Sequence, residues 1–191
     1  MNLYLAGPID SATKQESTWK QVLQEVLQHQ LPEDPLDGQW TAFDPAAPWL
    51  LFGTVDHRPH RSALIEIVNR SAIQHCDVLV AYQPSHVMSV GTSMEIFEAD
   101  EMGKDIIIFS DIPFSRSAYL QNRVERRHYF CMRDYSNDMP SVMSAVGRAL
   151  HSIARDIRQH GRGKRFTNHE AALKSRAEDN APRHEYQRKA E

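Results

Sequence analysis

Short apolar runs alternate along the chain with longer stretches in which apolar residues recur every three or four positions. The runs predict buried β-strands, and the longer stretches predict helices with one apolar face. Strands are predicted at residues 2–6, 40–43, 77–82, 105–109 and 129–132. Helices are predicted at residues 16–31, 61–75, 93–102 and 139–157. Strands and helices therefore alternate along the chain as far as residue 157.

This alternation predicts one α/β domain. Strands separated by helices of this length form parallel sheets that are covered on both faces. The expected architecture is a doubly wound, flavodoxin-like (Rossmann-like) sandwich with a mostly parallel five-stranded sheet. A chain of 191 residues that is 41% hydrophobic is long enough for one such domain. We assign the domain to residues 1–160.

Residues 161–191 are predicted to form a charged, disordered tail. Their large apolar residues are Phe166, Leu173 and Tyr186, which bury too little surface to offset the entropy of ordering. The basic cluster at residues 162–165 fits contacts with phosphate groups. A solvated tail is the favoured interpretation, because chain termini commonly have this composition.

Composition and charge restrict the expected cellular location of the protein and the kinds of partner it binds. No run of eighteen or more apolar residues occurs, and the chain opens directly on a strand, so a cytoplasmic protein without a membrane segment is expected. The net charge of −3 includes −6 for residues 1–160, with fourteen Lys and Arg against twenty Asp and Glu, which argues against a nucleic-acid partner. Cys76 and Cys131 lack metal-site spacing and are predicted to be reduced and packed.

Two glycine turns at strand ends or helix starts mark a candidate site. Gly7-Pro8 follows the first strand, and Gly91 opens the segment that leads into the third helix. Ligands bind at such edges of open α/β sheets. Glu95 has two interpretations that do not exclude each other. The segment Thr92 to Glu95 fits a capping box that only starts a helix, and a carboxylate placed there also suits attack on an electrophilic sugar carbon.

Several other kinds of site have no motif in the sequence. Neither G-x-G-x-x-G nor the P-loop pattern occurs, which argues against a dehydrogenase or a nucleotide kinase. His57 and His60 have no third ligand at recognisable spacing, so no metal site is predicted. The long proline-rich loop after residue 44 is predicted to be a lid or a binding loop, where Trp49 or Phe52 stacks on a ligand ring.

Three segments carry a resemblance to a known family. They read Tyr4-Leu5-Ala6-Gly7-Pro8, Ile73-Gln74-His75-Cys76-Asp77-Val78-Leu79-Val80-Ala81, and Gly91-Thr92-Ser93-Met94-Glu95-Ile96 followed by Gly103-Lys104. Together, in this order, they resemble the nucleoside 2-deoxyribosyltransferase superfamily. The resemblance covers residues 2–110. It implies a flavodoxin-like domain that associates as a homodimer or a larger homo-oligomer.

The resemblance also implies roles for individual residues. Glu95 takes the position of the nucleophile, and Tyr4 takes the position of the tyrosine that orients it. Gly7, Pro8 and Ile9 match the loop that lies against the nucleobase.

Ser89 indicates the substrate class. Six residues before the nucleophile, family members that act on free nucleosides carry an aspartate, whereas 5′-monophosphate glycosidases carry a serine. An aspartate repels a phosphate dianion, and a serine hydroxyl donates a hydrogen bond to it. Gly91 then lets the backbone approach the ligand closely, and Ser93 adds a second hydroxyl.

Asn69 departs from the family pattern. Eight residues before Asp77 the family usually has an aspartate that handles the leaving base. Asparagine hydrogen-bonds a base but gives up no proton near neutral pH. Activation of the leaving group must then come from water, a histidine, the base itself or Glu66 one turn earlier, or else the enzyme is slow or inactive.

These observations lead to an expected activity and its alternatives. The chain is expected to cleave the N-glycosidic bond of a (deoxy)nucleoside 5′-monophosphate through a covalent glycosyl-glutamate, releasing free base without a metal or other cofactor. The second interpretation is a 2-deoxyribosyltransferase that exchanges bases between free deoxynucleosides. A non-catalytic nucleotide sensor, in which Glu95 only caps a helix, is a third, and a hydrolase of nicotinamide dinucleotide is a fourth. No nucleic acid or membrane partner is expected.

Overall fold

The computed structural model describes residues 1–8, 14–29, 40–46, 58–86, 89–111 and 127–161. The chain divides into two units after Arg155, and the fold presented here is that of the first, Met1–Arg155. The predictions for Ile9, for Trp49 and Phe52, and for the tail beyond residue 161 fall outside the described residues. The domain boundary at residue 160 therefore stays a prediction.

Five strands and four helices alternate along the described chain. The strands are β1 (Asn2–Ala6), β2 (Thr41–Phe43), β3 (Val78–Tyr82), β4 (Asp105–Ser110) and β5 (Arg127–Cys131). The helices are α1 (Lys14–His29), α2 (Arg58–His75), α3 (Val90–Glu101) and α4 (Met139–His160), with a 3₁₀ turn at Met132–Tyr135 before the last. All five strands are parallel and lie in the order β2-β1-β3-β4-β5. The predicted α/β fold is confirmed, with a sheet that is parallel throughout these strands.

Some element boundaries differ from the predicted ones, and two starts have local causes. Helix α2 begins at Arg58 rather than at residue 61, because Pro59 is compatible with a first helical turn, where its missing N–H needs no partner. Helix α3 begins at Val90 rather than at residue 93, because Ser89 caps it.

Helix α3 ends in a Schellman motif that returns the chain to the sheet. Gly103 adopts a φ of 67°, a conformation that glycine takes without steric cost. The Gly103 N–H donates to the Asp100 carbonyl at 3.0 Å, and the Lys104 N–H donates to the Ala99 carbonyl at 2.9 Å. The chain then enters β4 at Asp105.

The two faces of the sheet are covered by different helices. One face packs against α2 and α3, and its core consists of Tyr4, Ala6, Ile73, Cys76, Leu79, Ala81, Ile96, Ala99, Ile106 and Ile108. Side chains on the opposite face include Phe109, which meets the buried Trp19 of α1 edge to face at 5.1 Å. Helices on both faces explain why β3, at the centre of the sheet, is buried at every position.

The Lys104 side chain links the C-terminal ends of α2 and α3. Both ends lie at the amino edge of the sheet. The Lys104 Nζ donates to the carbonyl oxygens of Gln74 at 2.6 Å and Cys76 at 2.9 Å. These carbonyls belong to the end of α2, where a cation is favourable. The two helices therefore lie side by side and run in the same direction.

The two cysteines are free and buried, as predicted. The Cys76 thiol donates to the Ile73 carbonyl at 3.1 Å, and burial raises the pKa of this thiol to about 11. It therefore stays protonated and unreactive at neutral pH. None of the described helices combines the length and the hydropathy that crossing a membrane requires.

Candidate active site

The expected crevice falls at the carboxyl edge of β1 and β3. From β1 the chain moves to β2 on one side of the sheet and later returns to β3 on the other side. Open α/β sheets bind ligands where the strand order reverses in this way. Gly7 and Pro8 follow β1 at this edge, and Gln83 follows β3. Helix α3 starts at the same edge and carries Glu95.

Tyr4 and Glu95, 91 residues apart in the chain, form a hydrogen-bonded pair in this crevice. The Tyr4 hydroxyl donates to Glu95 Oε1 at 2.7 Å. Tyr4 has no exposed surface, and its ring stacks on Phe43 with the ring centroids 5.4 Å apart. Because this packing fixes the ring, the hydroxyl holds the carboxylate in one orientation.

Burial makes Glu95 an unusual carboxyl group. Desolvation raises its pKa from the ordinary 4.5 to about 7, although the hydrogen bond from Tyr4 and the charge of Lys20 act in the opposite direction. The negative charges of Glu98 and Asp44 add to the rise. Burial, together with the Glu95 charge, raises the pKa of Tyr4 well above its ordinary value, so Tyr4 keeps its proton. Glu95 is therefore divided between its two protonation states near neutral pH.

We expect the Tyr4→Phe variant to shift the acidic limb of the activity profile to higher pH. The lost hydrogen bond stabilises the ionised carboxylate, so its removal raises the pKa of Glu95 by about one to two units. A nucleophile must be ionised, and activity near pH 7 should fall more than activity at alkaline pH. The measurement is kcat/KM against pH.

Tyr82→Phe is the matched control for this variant. Tyr82 lies at the end of β3 and stacks on Phe109, on the sheet face opposite Tyr4. Its substitution also removes one phenolic hydroxyl and should leave the acidic limb in place. An unchanged limb in the Tyr4 variant would show that the hydrogen bond does not tune the carboxyl group.

The start of α3 corrects the capping-box interpretation. The N-cap is Ser89, not Thr92, and its hydroxyl accepts from the Thr92 N–H at 3.2 Å. The Ser89 and Thr92 hydroxyls also hydrogen-bond to each other at 2.7 Å. Glu95 therefore lies in the second turn, beyond the position from which a glutamate reaches back to the cap. Its side chain is bonded to Tyr4 instead.

Ser93 joins the helix start to the end of β3. Its hydroxyl donates to the Ser89 carbonyl at 3.1 Å and so accepts from the Gln83 amide nitrogen at 3.3 Å. This arrangement assigns the orientation of the Gln83 amide. Its Oε1 is then a buried acceptor without a hydrogen-bond partner among the described residues. A buried acceptor of this kind is a natural contact for a ligand hydroxyl or amine.

Gly7 and Gly91 have different surroundings. A Cβ on Gly7 would lie 3.5 Å from the indole nitrogen of Trp19, an ordinary contact. A Cβ on Gly91 would meet no heavy atom of the described residues within 4 Å. Gly91 is exposed at the first turn of α3, so the space beside it is open to a ligand. Pro8 is partly buried at the end of β1.

Asn69 lies on the inner face of α2. The buried residues Ile65 and Ile73 flank it one turn away on either side. Its Oδ1 is buried without a hydrogen-bond partner among the described residues. Asn69 is six residues before the end of α2 and Glu95 is six residues before the end of α3, so each lies about 9 Å along its helix from that end.

Of the other proposed groups, Glu66 is exposed on α2. Its exposure does not fit a role deep in the crevice. Within the described ranges, no three His, Cys, Asp or Glu side chains lie close enough together to hold a metal ion. A reaction without a cofactor stays a prediction.

Two residues of the site were missed in the sequence. Gln83 carries a usable signal, because it directly follows a buried strand at the edge where ligands bind. The sequence gives no such signal for Lys20. Its influence on Glu95 arises only in the folded chain, where Lys20 forms a salt bridge with Asp44 just after β2.

Comparison with known proteins finds solved structures only. No family model matches the sequence, and no curated protein matches it. The chain is similar to the CMP N-glycosidase BcmB of Clostridium botulinum, with 20% identity, a TM-score of 0.46, and coverage of 76% of this chain and 98% of that one. It is similar to a 2-deoxyribosyltransferase of Bacillus psychrosaccharolyticus, with 17% identity, a TM-score of 0.50, and coverage of 72% and 92%. A 2-deoxyribosyltransferase of Leishmania mexicana matches with 18% identity, a TM-score of 0.39, and coverage of 58% and 65%.

The class that these findings define is an α/β protein with the flavodoxin-like fold. The chain shares this fold with the 2-deoxyribosyltransferase of Bacillus psychrosaccharolyticus. The predicted resemblance to the nucleoside 2-deoxyribosyltransferase superfamily is confirmed at the level of the fold.

Proposed function

We propose that the chain is an N-glycosidase that cleaves the bond between C1′ and the base nitrogen of a nucleoside 5′-monophosphate. The observation that carries the proposal is the Tyr4 and Glu95 pair in the crevice, joined at 2.7 Å. A partly buried carboxylate held by a fixed hydroxyl is suited to attack on an oxocarbenium-like sugar carbon. With Ser89 as the N-cap, Glu95 has no capping role, which argues against a sensor in which this residue only caps a helix.

The reaction would proceed through a glycosyl ester. A Glu95 oxygen attacks C1′ from the face opposite the base, and the bonding electron pair leaves with the base nitrogen. Water then attacks C1′ and releases the sugar phosphate, which restores the carboxylate. Two inversions give net retention at C1′. Tyr4 orients the carboxylate in both steps.

The start of α3 would bind the 5′-phosphate. The N–H groups at a helix N-terminus point outward and favour an anion. Ser89 caps this helix, and its hydroxyl proton is available to a phosphate when Thr92 donates in the bond between them. Gly91 leaves open space beside the same turn. Ser93 extends the hydroxyl cluster toward Gln83.

The base would lie between the turn after β1 and the inner face of α2. Gly7, Pro8 and, by the family resemblance, Ile9 would contact one side of the ring. Asn69 would face it from α2, with a carboxamide that has no hydrogen-bond partner in the described part of the chain. An amide offers both a donor and an acceptor to a nucleobase edge.

Exposed apolar residues support the proposed homo-oligomer. Leu64 and Ile67 on α2 and Val90 and Met94 on α3 are 40% to 67% exposed. The two helices are neighbours, and large exposed apolar side chains on adjacent elements mark surfaces that other proteins cover. Light scattering of the purified chain measures its mass in solution, and a monomer would contradict the proposal.

The 2-deoxyribosyltransferase remains the second candidate, because the same glycosyl ester is opened by a second base instead of water. Its distinguishing property is exclusion of water from the crevice, a property of the bound complex.

The test is release of free base, followed by chromatography. The purified chain is incubated with ribo- and deoxyribonucleosides and their 5′-monophosphates, with and without a second base. Release from monophosphates without an added base supports the proposal. Exchange that requires free deoxynucleosides and a second base favours the transferase. Binding of a nucleotide without any base release would favour the sensor.

A further inference from the structure

In the proposed binding mode the leaving base faces Asn69, a side chain that cannot protonate it. A neutral base leaves with the bonding electron pair as an anion unless a proton reaches it. General acid catalysis of this kind contributes about 10² to 10⁴ in rate. Asn69 lies on the inner face of α2, with its Oδ1 buried and without a hydrogen-bond partner among the described residues, and a carboxamide gives up no proton near neutral pH.

Among the described residues, Tyr4, Glu95, Cys76 and Glu66 do not replace the missing acid. The Tyr4 proton is held in its bond to Glu95, and Glu95 must itself be ionised to attack. The Cys76 thiol is bonded to the Ile73 carbonyl. Glu66, on the same helix as Asn69, is exposed.

The charge around the nucleophile is negative. The negative charges of Glu98 and Asp44 act on Glu95, and Lys20, the cation that acts on Glu95, is already paired with Asp44. A positive charge brought into this crevice would be attracted to it. It would also favour ionisation of Glu95, whose pKa burial holds at about 7.

We propose that the preferred substrates are nucleotides whose base carries a positive charge, such as an N-alkylated purine or an N-linked pyridinium. This inference rests on the proposed N-glycosidase function and narrows its substrate class. A cationic base needs no acid, because the electron pair of the broken bond neutralises it. Asn69 then serves to hold the base by hydrogen bonds.

The electrons and protons balance without a further reactant. A Glu95 oxygen forms a bond to C1′, the bond from C1′ to the base nitrogen breaks, and the cationic base leaves neutral. Water then replaces Glu95 at C1′, one proton passes to the solvent, and the carboxylate is restored. The net reaction consumes one water and releases one proton.

The deciding experiment compares two matched nucleotides that differ by one methyl group. GMP has a neutral base, and 7-methyl-GMP has a cationic one below neutral pH. Nicotinamide mononucleotide, a permanent cation, and CMP, which is neutral, form a second comparison. Base release is followed by chromatography at equal substrate concentration. We expect kcat/KM to be about 100-fold or more higher for the cationic member of each comparison.

The outcomes of this comparison separate the two proposals. Equal rates for GMP and 7-methyl-GMP, or faster cleavage of GMP, would overturn the charge preference and leave the N-glycosidase function in place. No release from these four nucleotides, with release from another 5′-monophosphate of the wider panel, would also overturn the charge preference alone, and no release from any nucleotide of either set would overturn both. These readings use the wild-type chain and do not depend on the folding of a variant.

The Asn69→Asp variant tests whether Asn69 causes the preference for a cationic base. A carboxyl group at this position supplies the missing acid, so cleavage of GMP should rise about tenfold or more while the preference for 7-methyl-GMP shrinks. Glu66→Gln, on the exposed side of the same helix, should leave the preference unchanged. A folded Asn69 variant with an unchanged ratio would overturn the assignment to Asn69.

Discussion

Replacing Glu95 by glutamine is expected to reduce base release by about 10³-fold or more, because the amide cannot form the glycosyl ester. Glutamine has nearly the same shape and keeps an oxygen that accepts the Tyr4 hydrogen bond. The substitution therefore removes the nucleophile while preserving the pair seen at 2.7 Å. Single-turnover base release with the nucleotide that the wild type cleaves fastest measures the effect.

The same variant should be more stable than the wild type at alkaline pH. The Glu95 pKa is raised in the fold, so its favourable contribution is present below pH 4.5 and is lost as the pH rises through about 7. A shift of this size corresponds to about 3 kcal/mol, and glutamine avoids the loss because it does not ionise. Urea unfolding above pH 7 should show the variant to be the more stable chain, and the difference should vanish below pH 4.5.

Base release and urea unfolding of the glutamine variant together exclude unfolding as the reason for lost activity. An inactive variant that is also more stable has not lost activity by unfolding. Full turnover in the glutamine variant would instead contradict the nucleophile assignment and return Glu95 to a structural role.

Replacing Ser89 by aspartate is expected to reduce cleavage of 5′-monophosphates by about 100-fold, through repulsion between the carboxylate and the phosphate dianion. Aspartate caps helices as well as serine does, so the start of α3 should be retained. Free nucleosides carry no phosphate, and their turnover should not fall with that of the monophosphates. The measurement is kcat/KM for one monophosphate and its matching nucleoside.

Ser89→Asn separates charge from shape. Asparagine also caps the helix but has no charge, so its effect on the monophosphate should stay within about tenfold. Equal losses in the two variants would indicate that the hydroxyl, not the absence of charge, is what the substrate requires. Unchanged monophosphate turnover in the aspartate variant would place the phosphate elsewhere.

The order of strands and helices follows from local patterns in the sequence. Apolar runs such as residues 105–109 and the periodic stripe of the last helix depend on neighbours a few positions away, and they predicted β4 and α4 almost to their ends. The predicted helix starts were less accurate where two nearby residues can both act as the N-cap. Thr92 and Ser89 are both good caps, and the chosen start became visible only with the fold.

The sequence by itself determined an α/β domain, two buried cysteines without disulfide spacing, and a short set of residues at one edge of the sheet. Periodicity, glycine turns and the family resemblance all act over short stretches of chain. The tertiary structure decided which of these residues meet. It joined Tyr4 to Glu95 across 91 positions and brought Lys20 close enough to act on the carboxyl group. It also raised the Glu95 pKa to about 7, because desolvation depends on everything packed around a group and not on its sequence neighbours.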